Sequence, residues 1–248
     1  MRHTRYDEIG KTYSSTRRSD PRIAAIIRCA LGDARTVVNV GAGAGAYEPS
    51  DRAVVALEPS RQMIRQRAPD AAPAVVAKAE AQPFRDATFD AALASLTMHH
   101  WTDWRRGVDE MRRVARRVVI FTFEPAEVDR FWLIETYFPE IVEIDRGRTP
   151  SIDEVVRHLG RSSVERVPIP HDCADGFLAA YWRRPEAYLD PTVRAGMSCF
   201  PLLGDDVVAR GVERLAADLR SGAWQRRFGQ LHRLDALDVC YRLLVTQG

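Results

Sequence analysis

Three glycines at alternate positions stand where a short apolar run ends, and a carboxylate stands where the next apolar run ends. The glycines are Gly41, Gly43 and Gly45, and the carboxylate is Glu58. Glycine has no Cβ and adopts positive φ angles, so its backbone can approach a ligand closely. A carboxylate after the following strand can accept hydrogen bonds from both hydroxyls of a ribose. This arrangement predicts a nucleotide pocket at one end of an open α/β sheet.

The glycine segment alone fits two classes of cofactor. Gly41, Gly43 and Ala46 satisfy the dinucleotide pattern G-x-G-x-x-G/A, so a nicotinamide-dependent oxidoreductase stays open. A dinucleotide, however, needs a substantial helix whose N-terminus holds the pyrophosphate, and Pro49 follows too soon for such a helix. S-adenosylmethionine carries no phosphate and does not need that helix. A tight turn that binds no ligand is the third interpretation.

Two adjacent histidines are the candidate acid–base residues. His99 and His100 lie in the segment TMHHW, directly after an apolar run. Histidine titrates near neutral pH and can take a proton from a reacting hydroxyl or amine. Adjacent side chains usually point apart, so we expect one of the two to line the pocket as the general base, with His100 slightly ahead of His99. A structural histidine bonded to the backbone is the alternative.

These residues need a sheet that brings the ends of several strands together. Short apolar runs alternate with helical patterns, which predicts a doubly wound α/β fold: a mainly parallel sheet with helices on both faces. The expected strands are residues 36–40, 53–57, 74–77, 89–96, 117–123, 164–169 and 237–245, the last antiparallel at or near an edge. The expected helices are residues 20–31, 63–68 (capped by Ser60), 104–114, and segments of 127–160 (with a cap at Ser151) and of 171–230.

The composition excludes several classes of protein. The 248 residues include 36 basic and 34 acidic side chains, without the basic excess that is typical of nucleic-acid binding. The four cysteines show no metal-ligand or disulfide spacing. The N-terminal segment has no signal-peptide pattern, and no apolar run is long enough to span a bilayer. We therefore expect a cytoplasmic protein that binds neither membranes nor nucleic acids and uses no metal.

A further block of residues lies downstream. Residues 78–84 read KAEAQPF, and Phe89 and Asp90 follow shortly after. Together with the glycine segment and Glu58, this order and spacing resembles the class I S-adenosylmethionine-dependent methyltransferases, in particular a small-molecule group with A-E-x-x-P-F before F-D. The resemblance covers about residues 6–125. It implies a seven-stranded Rossmann-like sheet, S-adenosyl-L-methionine as the cofactor, and methyl transfer to a small molecule.

The resemblance also implies roles for residues at matching positions. The glycine turn passes along the methionine part of the cofactor, Glu58 holds the ribose, residues 79–81 border the adenine, and residues 95–100 lie beneath the sulfonium. The implied cofactor residues are Tyr13, Gly41, Ala42, Gly43, Gly45, Glu58, Pro59, Met63, Ala79, Glu80, Ala81, Ser95 and Leu96. One departure is Asn39, where many members have an acid, because an amide brings no charge to the ammonium of the cofactor.

The domain organisation follows from the same patterns. Residues 1–170 are expected to form the cofactor-binding core with an N-terminal cap segment, residues 171–230 a helical substrate lid, and residues 231–248 the last strand of the sheet. Arg183 and Arg184 in the lid are expected to bind a carboxylate or phosphate of the substrate. The sequence leaves the reaction partly open. Oxygen, nitrogen and carbon atoms all stay open as the methyl acceptor, as does a non-methylating reaction with the same cofactor. A nucleic-acid substrate is disfavoured because SLTMHHW replaces the N-P-P-[YF] type of motif.

Overall fold

The structure is a computed structural model that describes residues 17–246. Its strands are β1 (Thr36–Val40), β2 (Ala53–Leu57), β3 (Ala74–Val75), β4 (Phe89–Ser95), β5 (Ala115–Phe123), β6 (Ser162–Arg166), β7 (Ile169–Pro170), β8 (Ala236–Leu237) and β9 (Tyr241–Thr246). Seven of them form one sheet in the order β3-β2-β1-β4-β5-β9-β6, while β7 and β8 pair separately. Strand β9 runs antiparallel to both of its neighbours, and the other pairings of the large sheet are parallel. The predicted seven-stranded, mainly parallel sheet is confirmed.

Helices cover the sheet on both faces. They are α1 (Pro21–Ala30), α2 (Arg61–Ile64), α3 (Trp104–Val114), α4 (Trp132–Tyr137), α5 (Ile141–Arg148), α6 (Ile152–Leu159), α7 (Pro191–Ala195), α8 (Asp205–Arg220) and α9 (Ala223–Phe228). Short polar side chains begin several of them, because an N-cap oxygen satisfies a free backbone N–H of the first turn. Asp103 caps α3, and Ser151 with Glu154 forms a capping box at α6.

Alternate residues of the central strands face opposite sides of the sheet, and each side has its own hydrophobic core. Val37 and Val119 belong to one cluster, together with α1 and much of the chain after β5. Val38 and Val118 belong to the other, together with α3 and α6. Because side chains alternate along a strand, an apolar run without polar interruptions is buried on both faces. The apolar runs of the sequence thus specify a doubly wound sheet.

Several predicted elements differ in extent from the structure, three of them most clearly. The strand expected at residues 237–245 is divided, since Cys240 has a φ of 69° that an extended strand cannot contain, and β9 begins after it. The strand expected at residues 164–169 is likewise divided between β6 and β7. The helix expected at residues 63–68 is one turn, α2, although Ser60 caps it as predicted. Strands β1 and β2 and helix α3 match their predicted bounds at both ends.

Residues 171–235, between β7 and β8, include the segment 171–230 that the sequence predicts as a helical insertion, and they contain α7, α8 and α9. The buried aromatic residues Trp182, Tyr188 and Trp224 of this insertion belong to the same cluster as Phe121 of β5. The insertion therefore packs onto the sheet and shares its core, while its role as a substrate lid stays a prediction. Across residues 17–246, none of the helices has the length and apolar character that crossing a membrane requires.

Candidate functional site

The glycine turn leaves β1 and runs back against the end of β2. Gly41, Gly43 and Gly45 have φ angles of 69°, 53° and 100°, which L side chains rarely adopt. The N–H groups of Gly41 and Ala42 both donate to the carbonyl of Leu57, at 2.8 and 3.1 Å. Residues 41–52 contain turns and no helix. The turn therefore offers no helix N-terminus for a pyrophosphate, as the position of Pro49 predicted.

Gly41 is required by a neighbouring loop as well as by its own conformation. A Cβ added there would lie 2.0 Å from Oγ1 of Thr97, on the segment after β4. Gly222 has a similar φ of 71°, but an added Cβ would meet only the end of the Arg226 side chain, at 3.3 Å. The close approach expected of Gly41 toward a ligand is thus, in the structure, an approach toward Thr97.

Replacing Gly41 with alanine is expected to destabilise the fold by about 2–4 kcal/mol, because strain at positive φ adds to a steric clash. Gly222→Ala is the matched control and should cost about 1–2 kcal/mol, because its backbone is left-handed (φ 71°, ψ 10°) and the one nearby atom belongs to a side chain that can move. Urea unfolding at equilibrium measures both values. Equal losses in the two variants would contradict the contact with Thr97.

Glu58 fixes the turn from the end of β2. Its carboxylate is buried, with 6% of the residue exposed. Oε2 accepts from the N–H of Gly43 at 2.9 Å, and Oε1 accepts from the N–H of Ser60 at 2.8 Å. Two backbone donors hold the carboxylate in one orientation at the wall of a cavity.

This larger cavity has a volume of about 580 Å³ and lies along the carboxyl ends of β1, β2 and β4. Its lining includes eleven of the predicted cofactor residues: Gly41, Ala42, Gly43, Gly45, Glu58, Pro59, Met63, Ala79, Glu80, Ser95 and Leu96. Ala81 does not line it, because this residue is exposed and its N–H turns back to the carbonyl of Lys78. Tyr13 lies outside the described residues. The carboxylate of Glu80 accepts from the N–H groups of Thr102 and Asp103, so it also anchors the start of α3.

A smaller cavity adjoins the larger one and has a volume of about 60 Å³. Its walls are mainly apolar, with Phe123, Phe131, Phe177 and Tyr241 among them. The two cavities have five lining residues in common: Arg17, Leu96, His99, His100 and Arg148. Leu96 adopts a φ of 49° at this junction, and its N–H donates to the carbonyl of Phe121 at 2.8 Å. A strained backbone at a cavity wall is typical of functional sites.

Both histidines line both cavities, and their ring centroids are 3.9 Å apart. His99 is buried, and burial is the main cause that holds its pKa well below the usual value of 6.5. The positive charges of His100, Arg148 and Arg17 lower the pKa of His99 further. His99 is therefore neutral at physiological pH. Within residues 17–246 its Nδ1 has no hydrogen-bond partner, while Nε2 lies 3.3 Å from Oγ of Ser198.

This depressed pKa gives an expected dependence of stability on pH. Between the low folded-state pKa of His99 and 6.5, the unfolded chain binds more protons, so acidification favours unfolding. Below pH 6.5, the free energy of unfolding of the wild type should fall by up to about 1.4 kcal/mol per pH unit more than that of His99→Gln. Between pH 7.5 and 6.5 the two should differ little. Urea unfolding at several pH values measures the difference. Parallel pH profiles would mean that His99 charges freely in the folded protein.

Sequence patterns missed two cationic residues of the junction. Arg148 on α5 pairs with the buried Asp145, with Nη2 2.8 Å from Oδ1, and also donates to Ser198. Burial raises the pKa of Asp145, and Arg148 opposes that rise. The spacing of Asp145 and Arg148 predicts a pair on one helix face, but nothing in the sequence shows that this face meets a cavity.

Arg17 reaches the junction through a buried acid. Its Nε lies 2.6 Å from Oδ1 of Asp175, a residue with 0% exposure, and Tyr47 donates its hydroxyl to Oδ2 at 2.9 Å. One carboxylate thus joins the segment before α1, the glycine turn and the insertion. The arginines expected from the sequence are elsewhere, because Arg183 and Arg184 donate to backbone carbonyls and line neither cavity.

The described residues, 17–246, contain no group of three or more His, Cys, Asp or Glu side chains that could hold a metal ion. The histidine at 171 lies beside Asp235 and Asp172, not in a cluster of ligands. The side chains around the junction present imidazole, guanidinium, carboxylate and hydroxyl groups.

Comparison with known proteins identifies related chains. The family described as "Methyltransferase domain" matches residues 38–123, from β1 to the end of β5. "Uncharacterized methyltransferase YcgJ" of Bacillus subtilis (strain 168) is 29% identical over 136 residues, which are 50% of this chain and 47% of YcgJ. The chain thus matches about half the length of that curated relative.

Two solved structures extend the comparison over nearly the whole chain. A putative methyltransferase from an antibiotic biosynthesis pathway of Anabaena variabilis ATCC 29413 has a TM-score of 0.87 and 33% identity, covering 96% of this chain and 100% of that one. The structure of YcgJ from Bacillus subtilis has a TM-score of 0.51 and 18% identity over 91% of this chain and 98% of that one, which shows a shared fold. Because the Anabaena protein is similar along its full length, the chain belongs to the class I S-adenosylmethionine-dependent methyltransferases.

Proposed function

We propose that the protein transfers the methyl group of S-adenosylmethionine to a small molecule at the junction of its two cavities. The observation that carries this proposal is the set of five residues common to both cavities. A methyl donor in the larger cavity and an acceptor in the smaller one would meet there. Holding two reactants in line and away from water is the main contribution that a protein makes to such a transfer.

The larger cavity fits the proposed cofactor in both size and donor set. Its 580 Å³ lies within the usual range for a small-molecule site. Glu58 would accept hydrogen bonds from the ribose, and the turn at Gly41, Gly43 and Gly45 would follow the methionine part. Ala79 and Glu80 would border the adenine. When bound, S-adenosylmethionine supplies a methyl group that its positively charged sulfur has already activated.

His99 is the better candidate for the general base, although sequence spacing slightly favoured His100. Its ring lies beside Ser198, and within residues 17–246 its Nδ1 has no hydrogen-bond partner, so this nitrogen is placed to meet an acceptor. Burial keeps the imidazole neutral, which leaves a lone pair for a proton but also makes His99 a weaker base than a free imidazole. His99 would take the proton of an acceptor hydroxyl or amine. Arg148, which contacts Ser198 beside the ring, would orient the polar end of the acceptor.

The acceptor is a compact molecule with an apolar body. A volume of about 60 Å³ has room for about four to six waters, or one small ring. Aromatic side chains surround that space, while the imidazole, Arg148 and Asp145 give it one polar end. The Anabaena relative is described as part of an antibiotic biosynthesis pathway, which supports a small-molecule acceptor for this chain too.

Two experiments test the proposed function. Calorimetry should show saturable binding of S-adenosylmethionine and S-adenosylhomocysteine, and no binding of NAD or NADP. Saturation by a nicotinamide dinucleotide alone would overturn the cofactor assignment. Incubation with methyl-labelled cofactor and small single-ring phenols, amines and carboxylic acids should then place the label in a product. A product that forms while the label stays on the cofactor would instead support a non-methylating reaction.

A further inference from the structure

A buried polar network lies beneath the glycine turn, at the end of the larger cavity where β1 stops. Asn39 is 1% exposed and lines that cavity. Its Nδ2 donates to Oε1 of Glu48 at 3.2 Å. Glu48 follows the glycine turn and does not line the cavity itself. Asn39 therefore stands between the cavity and a carboxylate behind it.

Arg67 holds this carboxylate in place. Its Nη2 lies 2.9 and 2.8 Å from the two carboxylate oxygens of Glu48, and the two side chains are only 5% and 10% exposed. Arg67 also donates to the carbonyls of Gly43 and Ala72. The pair is thus fixed from several sides by contacts within the protein.

The fixed carboxylate decides which way the amide of Asn39 points. An ionised carboxylate accepts hydrogen bonds and donates none, so the NH₂ group of Asn39 must face Glu48. The carbonyl oxygen Oδ1 is then left for the cavity side. Among residues 17–246 no donor reaches Oδ1. A carbonyl oxygen held in this way accepts a hydrogen bond from a cationic donor.

We propose that Glu48 is a positioning residue for the ammonium group of the cofactor's methionine part, acting through Asn39. This inference rests on the proposed function, which places the methionine part along the glycine turn. Position 39 holds an amide in this chain, and Glu48 supplies a carboxylate one hydrogen bond further back. Glu48 acts on the ammonium through the amide of Asn39, because it keeps the carbonyl oxygen of that amide toward the ammonium. A flipped amide would present its NH₂ group, a second donor, to the ammonium.

Two ligands separate this role from a merely structural one. S-adenosylhomocysteine carries the ammonium, whereas 5′-methylthioadenosine retains the adenosine and sulfur but has no amino-acid part. Glu48→Gln frees the amide of Asn39 to flip and should weaken the binding of S-adenosylhomocysteine by about tenfold. Binding of 5′-methylthioadenosine should change less than twofold. Titration calorimetry measures both, and 5′-methylthioadenosine reports whether each variant is folded.

A second pair of variants reverses the sign of the effect. Asn39→Asp sets a new carboxylate against Glu48, and the repulsion between like charges should raise one pKa and reduce binding. Adding Glu48→Gln to Asn39→Asp removes that repulsion and leaves an acid facing the ammonium. The double variant should therefore bind S-adenosylhomocysteine more tightly than Asn39→Asp alone, although Glu48→Gln weakens binding beside Asn39.

The outcomes are distinguishable. If Glu48→Gln loses nothing, or weakens both ligands equally, the positioning role is wrong. If the double variant binds no better than Asn39→Asp, the role is also wrong. If the wild type binds neither ligand, the proposed function itself fails, and this failure shows before any variant is made.

Discussion

Glu58→Gln is expected to weaken binding of S-adenosylhomocysteine by about 100-fold, the largest effect on the cofactor site. The carboxylate accepts from the backbone of Gly43 and Ser60, and in the proposed complex it would also accept from two ribose hydroxyls. An amide keeps one acceptor oxygen but brings an NH₂ group toward donors. Each hydrogen bond to a charged group contributes about 1.5–3 kcal/mol, so the loss of one such bond gives the stated magnitude. Titration calorimetry measures it.

Asp90→Asn is the matched control for this loss. The carboxylate of Asp90 also accepts from two backbone N–H groups, those of Arg35 and Thr36, but at the opposite end of β1. This variant should lose stability while binding S-adenosylhomocysteine as the wild type does. If Glu58→Gln binds within threefold of the wild type, Glu58 only stabilises the turn, and the ribose site must be elsewhere.

His99→Gln is expected to lower kcat by about 10²–10⁴-fold while leaving the affinity for S-adenosylhomocysteine unchanged within twofold. Glutamine can still bond to Ser198 but takes no proton. The acceptor found by the labelled-methyl experiment serves as substrate, and kcat and KM are measured separately. His100→Gln should lose less than tenfold. A larger loss in His100→Gln would assign the proton transfer to His100, as the sequence alone slightly favoured.

The cofactor side of this fold is predictable because its signals are local. Glycines at alternate positions and Glu58 at a strand end are read directly from spacing, and the structure brings them to one wall. Both flanking strands match at both ends because their apolar runs are short and end in glycine or acid. The position of Pro49, shortly after the glycines, also predicted that no long helix follows the turn.

The proposed acceptor side could not be predicted in the same way, because its residues meet through long-range packing. Arg17, Arg148 and Ser198 come from distant parts of the chain and have no shared spacing. Arg183 and Arg184 had a suggestive position beside aromatic residues, but backbone carbonyls take their donors. The same limit applies to Ala81, where a tight turn directs the backbone away from the cavity.

The small β7–β8 ladder has a consequence for insertions and deletions in the segment that it closes. Pairing of Ile169 with Leu237 clamps the two ends of residues 171–235 together at their base. An insertion or deletion within that segment then changes the length of a loop whose ends are already held together. The entropic cost of closing a longer loop grows only slowly with its length. The register of β6 against β9 is unaffected, so such changes should leave in place the strands that carry the glycine turn and Glu58.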